Sequence, residues 1–349
     1  MTRFVCGLLA AMLMFSLSGC GAAPAAQKFT ATWFDLFDTV TTVVGYAESP
    51  EEWKKQTDAL HEDLLLYHKL YDIYHNYDGL VNLREVNRLA GEGPVEVDAR
   101  ILDLLLEAQR LYETTNGQMN IAMGRPLRIW HDYREKALDD PAKAAVPGVE
   151  ELQNAAEHAR MDDLVLDEEN STVFFKDPQL RLDVGSVGKG YAVEMAARAA
   201  EERGLQSALL SVGGNLRSIG KKPDGSLWSG GIQNPWPAAE EEQGYLMAVE
   251  LENEALVTSG DYQRFYVADG VKYHHLIDPD TLFPARYFSA VAVLAPDSGM
   301  ADCLSTGLFC MELQEGLVLV ESLEGVEALW MLPDGSMTES SGWNAHLKT

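Results

Sequence analysis

The stretch LDVGSVGKGYAVEMAARAAEERG (residues 182–204) holds a strand-like run, a glycine-punctuated turn and a long amphipathic helix. Asp183, Ser186 and Lys189 follow one another at three-residue steps through the turn. A glycine-rich turn exposes backbone N–H groups, and the helix behind it adds the positive end of its dipole, so phosphate is its natural ligand. Lys189 adds a point charge. GSVGKG is not the P-loop pattern, because its spacing differs and no Ser or Thr follows the lysine. Read alone, the turn is either a phosphate cradle or a tight packing turn. The helix is expected from Lys189 to Gly204, where the glycine closes it.

Outward from this stretch, short strands and helices alternate irregularly. Residues 33–46 read as a strand, 50–75 as a helix, and 78–94 as loop with a short helix. Residues 98–115 form an amphipathic helix with Asp98 as N-cap. Residues 116–133 read as a turn and an irregular, Gly- and Pro-broken segment, and 134–160 as a polar, partly helical excursion. Two or three strands precede Gly185. After the helix come a strand pair turning at Gly213-Gly214, further strands in 226–235 and 245–260, and a hairpin through Asp269-Gly270. A strand, loop and helix (288–311), then a helix, a strand and a hairpin complete the chain. This order indicates an α+β fold with mixed or antiparallel sheets rather than a doubly wound parallel sheet.

The N-terminus, MTRFVCGLLAAMLMFSLSGC, has one basic residue, an apolar run too short to span a bilayer, and small residues after it. It reads as a secretory signal over 1–19. LSGC fits a bacterial lipoprotein cleavage box, with Cys20 lipidated and 20–30 a flexible tether; the alternative is an ordinary signal peptide with an incidental cysteine. Residues 31–349 then form the globular part, on the extracytoplasmic face of a bacterial membrane. Cys303 and Cys310, if on one helix, stand about 10 Å apart along its axis, beyond disulfide reach. The formal charge is −27, and −28 once Arg3 leaves. Such acidity disfavours nucleic acid and anionic lipid. An anionic substrate needs a metal ion or a local basic pocket.

Three more clusters carry chemistry. In MADCLSTGLFC (300–310), Asp302 and Thr306 lie at i and i+4 on one helical face. They are either a helix N-terminal acid and a buried threonine, or two hard oxygens for one cation; Mg²⁺ takes few protein ligands and completes its shell with phosphates. VTSGDYQRFY (257–266) is a turn that can approach a ligand. His274 and His275 are adjacent, so in a strand they face opposite sides and at most one serves catalysis. No zinc spacing is present. SVGGNLRSIG (211–220) reads as a hairpin turn or a site of close backbone approach.

The joint order of these clusters resembles the ApbE family of FAD:protein FMN transferases, which are often lipoproteins. QMNIAMGRPLRIW (118–130), LDVGSVGKGYAVEMAA (182–197), ALLSVGGNLRSIG (208–220), LVTSGDYQRFYVADGVKYHHLIDPDTLFP (256–284) and SAVAVLAPDSGMADCLSTGLF (289–309) resemble its five motif blocks. The resemblance covers most of residues 33–340. It implies an FAD cleft between two lobes, FAD as substrate, Mg²⁺ at Ser186, Asp302 and Thr306, and His275 as general base, with an Asp of the site as rival. It places Phe37, Met119, Asn120, Ile121, Asp183, Lys189, Thr258, Ser259, Gly260, Asp261 and Leu276 around the flavin nucleotide. The implied reaction transfers FMN to a Thr or Ser of an exported or membrane redox protein and releases AMP. Alternatives on the same site are hydrolysis of FAD to FMN and AMP, or FAD binding without chemistry. Four positions depart from the family pattern: Asn120 and Glu194 stand where Asp is usual, Asn215 follows Gly-Gly in place of Asp, and Leu282 replaces Gly. They bear on flavin contacts and spare the implied metal trio.

Overall fold

The computed structural model describes residues 26–236 and 244–348. The expected signal segment and Cys20 lie outside these residues. β1 (Gln27–Leu36) and β2 (Thr39–Ala47) form a hairpin. The run 33–46, which reads as one strand, is broken at Phe37 and Asp38, both at φ 51°. β1 already starts at Gln27, inside the segment 20–30 expected as tether, because its ladder with β2 holds those residues.

α1 (Pro50–Tyr71) starts on Ser49, whose hydroxyl accepts the Glu52 N–H; Pro50 occupies its first turn, and Glu51 and Glu52 face its positive end. α2 (Leu83–Arg88) and β3 (Val95–Glu96) lead to α3 (Ala99–Thr114), capped by Asp98 as its sequence indicates. α4 (Gly124–Asp139) corrects the reading of 116–133, since residues expected to be irregular form a continuous helix. Pro126 falls in its first turn, where an N–H has no intrahelical partner. A Cβ on Gly124 would come within 2.5 Å of the Arg181 carbonyl oxygen. α5 (Val149–Ala156) follows, and β4 (Leu164–Asp167) and β5 (Thr172–Phe175) complete a small sheet with β3.

The run before Asp183 is not the strand its composition indicates. It makes one isolated bridge, Arg181 to Met123, and the Asn87 amide takes both the N–H (2.7 Å) and the C=O (2.9 Å) of Leu182. α6 (Gly188–Glu202) follows the turn. β6 (Ala208–Val212) and β7 (Asn215–Ile219) turn at Gly213-Gly214 as expected. β8 (Trp228–Gln233) and β9 (Tyr245–Leu251) form a ribbon, followed by β10 (Ala255–Gly260) and the hairpin β11 (Phe265–Ala268) and β12 (Val271–His274). β13 (Ala290–Ala295), α7 (Ser298–Phe309), α8 (Leu313–Glu321), β14 (Glu327–Met331) and β15 (Met337–Glu339) end the fold.

The frame is an eight-stranded sheet, β1-β2-β6-β7-β10-β13-β14-β15, antiparallel in every ladder. The fold is α+β, as its element order indicates. Period-two alternation separates the two faces of β13. Val291, Val293 and Ala295 pack under α7 and α8, while Ala290, Ala292 and Leu294 pack under the β8–β9 ribbon and Trp343. A further core, built on α3 and the small sheet, closes on Leu182, Val184 and Val187. The 183–189 turn therefore sits at a seam between that core and the helices covering the large sheet. Cys303 and Cys310 are free and buried, and burial pushes both thiols up. Among the described residues no helix is long and apolar enough to cross a membrane.

α6 and α7 cross at Gly190. A Cβ there would lie 2.3 Å from the Ser298 carbonyl oxygen and 2.4 Å from Asp302 Cβ. Gly190→Ala must push the helices apart, which costs about 1–3 kcal/mol by overpacking. Chemical denaturation should show a lower midpoint with an unchanged slope.

Candidate active site

The α6–α7 crossing places the acid of one motif on the turn of another. Asp302 Oδ2 accepts the Gly190 N–H at 2.8 Å, and Lys189 Nζ donates to Oδ1 at 3.2 Å and Oδ2 at 3.4 Å. Asp302 is 6% exposed, so this carboxylate meets the first turn of α6 almost out of water. Thr306 stands one helical turn along. Ser305 Oγ donates to the Asp302 carbonyl (2.9 Å) and lies 2.8 Å from Ser259 Oγ, which must then be the donor between those two. Thr306 Oγ1 is 3.4 Å from Ser259 Oγ, so its lone pairs stay free. Ser186 lies in the turn four residues before Gly190, and its hydroxyl makes no hydrogen bond to another described residue. One carboxylate with two uncommitted hydroxyls is a hard-oxygen set suited to Mg²⁺ that shares its shell with phosphate. Among the described residues no group of three or more His, Cys, Asp or Glu could hold a metal, so a closed all-protein cage is not built here.

The turn is fixed from behind. The Asp183 N–H donates to the Ile121 carbonyl (2.8 Å), and its carboxylate accepts the Gly185 N–H (2.8 Å). Burial pushes the Asp183 carboxyl up, against that hydrogen bond and His131. The Met119 N–H donates to Thr115 Oγ1 at 3.1 Å, so Met119, Asn120 and Ile121 run as a strut between α3 and the turn.

His274 and His275 face opposite ways, as alternation requires. His274 is buried in an edge contact with Phe309; Nε2 donates to the Ala285 carbonyl (2.8 Å) and Nδ1 accepts the Leu276 N–H (3.3 Å). Both nitrogens are used, so His274 holds the segment carrying Leu276. Burial lowers its pKa to about 4. The His275 N–H donates to the Arg264 carbonyl (3.1 Å), and its Nδ1 is buried without a partner. Burial, then Arg264, His274 and Arg134, lower its pKa to about 3.

Other expected site residues lie further out. Thr258 pairs with Ala292 inside the sheet. After Gly260, the Asp261 N–H donates to the Ser289 carbonyl and its carboxylate is tied to Lys272 at 2.5 Å. Phe37 packs by an edge contact on His68, whose Nδ1 accepts the Phe37 N–H (3.1 Å). No printed contact joins Phe37 to the turn.

The four departures have structural roles here. Asn120 Oδ1 accepts the Ala122 N–H and its Nδ2 donates to the Ala159 carbonyl. Glu194 is buried; it accepts from Arg217 (2.8 Å), from Arg198 (2.8 Å) and from the N–H of Ser298 at the start of α7 (2.9 Å). Burial opposes its charge, yet these partners hold its pKa below the usual value. Asn215 is fully buried and accepts from Ser298 Oγ (2.8 Å). Leu282 sits at φ 63°, the conformation for which glycine is favoured, while its carbonyl takes the Trp130 indole N–H (2.9 Å).

Residues that sequence reading did not single out border His275. Tyr74 meets the His131 ring at 5.6 Å, and the Arg128 guanidinium lies 5.9 Å from the Tyr74 ring. Arg134 Nη2 is 3.3 Å from His131 Nδ1. Burial and then Asp183 push the Tyr74 hydroxyl up to about 12, against Arg128, Arg134 and Arg264. The signal was an i, i+3 repeat in RIWHDYR, hidden by reading that segment as irregular. A separate groove of about 560 Å³ lies on the other flank of α6, lined by Tyr191, Met195 and Arg198 with Asp297 and Met300 of α7, and includes none of these residues.

The fold and the α6–α7 site together define a phosphate-handling α+β protein. The comparisons make this specific: residues 37–330 match the ApbE family model, and the chain belongs to the ApbE family. It is 31% identical over 274 residues to a FAD:protein FMN transferase of Treponema pallidum, covering 74% of this chain and 73% of that protein. It is 30% identical to the one of Salmonella typhimurium, covering 92% of this chain and 90% of that protein. The solved ApbE protein of Thermotoga maritima superposes with a TM-score of 0.80 at 26% identity, covering 93% of this chain and all of that one.

Folding depresses the pKa of His274 from 6.5 to about 4, so the unfolded chain binds the extra proton in that window. Stability from this group is complete above pH 6.5 and falls as pH drops to about 4. The slope is about 1.4 kcal/mol per pH unit at most. His274→Gln, which can still donate to Ala285, should flatten the pH 4–6.5 limb of a denaturation series.

Proposed function

We propose that this chain is an FAD:protein FMN transferase that moves FMN from FAD to a Ser or Thr hydroxyl of an exported or membrane redox protein. The observation that carries the reading is the Asp302 carboxylate seated on the first turn of α6 beside Lys189, Thr306 and Ser186, within a chain that matches its family over residues 37–330. The acceptor hydroxyl oxygen bonds to the FMN-side phosphorus, and the bridging P–O bond breaks. AMP leaves with the bridging oxygen, and FMN stays as a phosphoester.

Mg²⁺ would be held by Asp302, Thr306 and Ser186, and when bound it neutralises charge on the diphosphate. Lys189 holds the Asp302 carboxylate and adds positive charge at the same point. The turn's N–H groups and the N-terminus of α6 face phosphate oxygens. His275, neutral at pH 7, takes the proton of the hydroxyl. Its basicity is low in the free protein because its neighbours are cationic, and it rises when a phosphate anion lies among them. Anchoring by a lipid at Cys20 would hold the enzyme on the extracytoplasmic membrane face, where such acceptors reside.

The test is mass spectrometry of an acceptor fragment incubated with the soluble chain, FAD and Mg²⁺. A gain of one FMN, AMP release, and loss of both with EDTA are expected. FMN and AMP without an adduct would overturn the transferase in favour of an FAD hydrolase. Asp302→Asn keeps an oxygen for the Gly190 N–H, so the fold should survive while kcat falls at least about a hundredfold. Asp302→Ala is the poorer variant, because it strands a buried N–H at a cost of about 1–3 kcal/mol.

A further inference from the structure

We infer that Arg134 and Arg264 form a metal-independent anion subsite beside His275 that binds a phosphate group. The chain carries 54 acidic and 27 basic residues, so a local surplus of arginine is against its composition. Yet Arg128, Arg134 and Arg264 converge on Tyr74 from α4 and from the loop before β11, with Asp183 as the acid they share. Their partners differ. Arg128 is paired with Asp132 at 2.8 Å. Arg134 divides one nitrogen between Glu135 (3.1 Å) and the His131 ring (3.3 Å). Arg264 has no acidic partner among the described residues, and its carbonyl fixes the His275 backbone.

The charges of Arg134 and Arg264 are both felt at His275, whose Nδ1 is buried and unpartnered. Cations beside a buried imidazole with no carboxylate behind it are unfavourable until an anion joins them. Guanidinium forks match phosphate oxygens two at a time. Asp183 joins the two halves of the cleft: it borders His131 and Tyr74, and its turn runs on to Lys189 and Asp302. On the proposed transfer reaction, on which this assignment of the occupant rests, the phosphate bound here is that of the leaving AMP. Charge developing on the leaving oxygen then meets two fixed cations.

The experiment is calorimetric titration of pyrophosphate, in EDTA, into the full soluble chain and into Arg134→Gln, Arg264→Gln and the double variant. Metal-free binding that weakens about tenfold with each substitution supports the subsite. Riboflavin affinity and the thermal midpoint should not change. No binding by the unsubstituted protein, or equal binding by the double variant, overturns it. If Arg134→Gln fails to fold, Arg264→Lys substitutes: it keeps the charge, loses the fork, and should fall between the unsubstituted protein and Arg264→Gln. FMN transfer is assayed on the same samples. Pyrophosphate binding without transfer overturns the transferase reading alone, and transfer without pyrophosphate binding overturns the subsite alone.

Discussion

The hydrogen bond from the Gly190 N–H to the Asp302 carboxylate is the interaction on which the site depends. It exists because α6 and α7 cross closer than any side chain at position 190 allows. The same crossing is held a turn further along by Glu194, which takes the N–H of Ser298 while paired with Arg217 of β7. A buried ion pair of this kind gains little net stability, since desolvation offsets much of the attraction. Its value here is positional: it fixes where α7 begins, and hence where Asp302 and Thr306 stand relative to the turn.

The charge of the chain turns the site into an electrostatic problem. A protein of formal charge −27 must bring a phosphate-bearing anion into contact with a buried carboxylate. The structure meets this in three ways: the helix N-terminus and Lys189 beside Asp302, a hard-oxygen set for a divalent ion, and arginines around Tyr74 and His275. The same arginines make His275 a weak base in the free protein, so its proton affinity is coupled to anion binding. Acid–base function and substrate recognition are thus carried by one field.

The departures from the family pattern illustrate how identity and role separate. Glu194 and Asn215 both contact Ser298, and one carboxylate with one amide avoids two buried charges at a single helix terminus. Leu282 keeps a left-handed backbone without the glycine that conformation favours, and its buried side chain packs in the core with Trp130. These are adjustments of packing around a retained Ser186, Asp302, Thr306 and Lys189.

Much was legible in the chain itself. Alternating periodicity, caps such as Asp98 and glycine turns such as Gly213-Gly214 are local signals, and they determined the element order and the α+β class. Spacing placed Asp302 and Thr306 on one face and set His274 against His275. Local signals failed where tertiary contacts decide the backbone: Asn87 holds Leu182 out of a ladder, His68 holds the turn at Phe37, and the Arg181 carbonyl seats Gly124 so that α4 can begin. With α4 hidden, the His131–Arg134 face was hidden too. That Asp302 meets Gly190, and that arginines distant in sequence gather at His275, is a matter of distance in space. One chain does not encode it locally; only packing the helices onto the sheet brings those groups together.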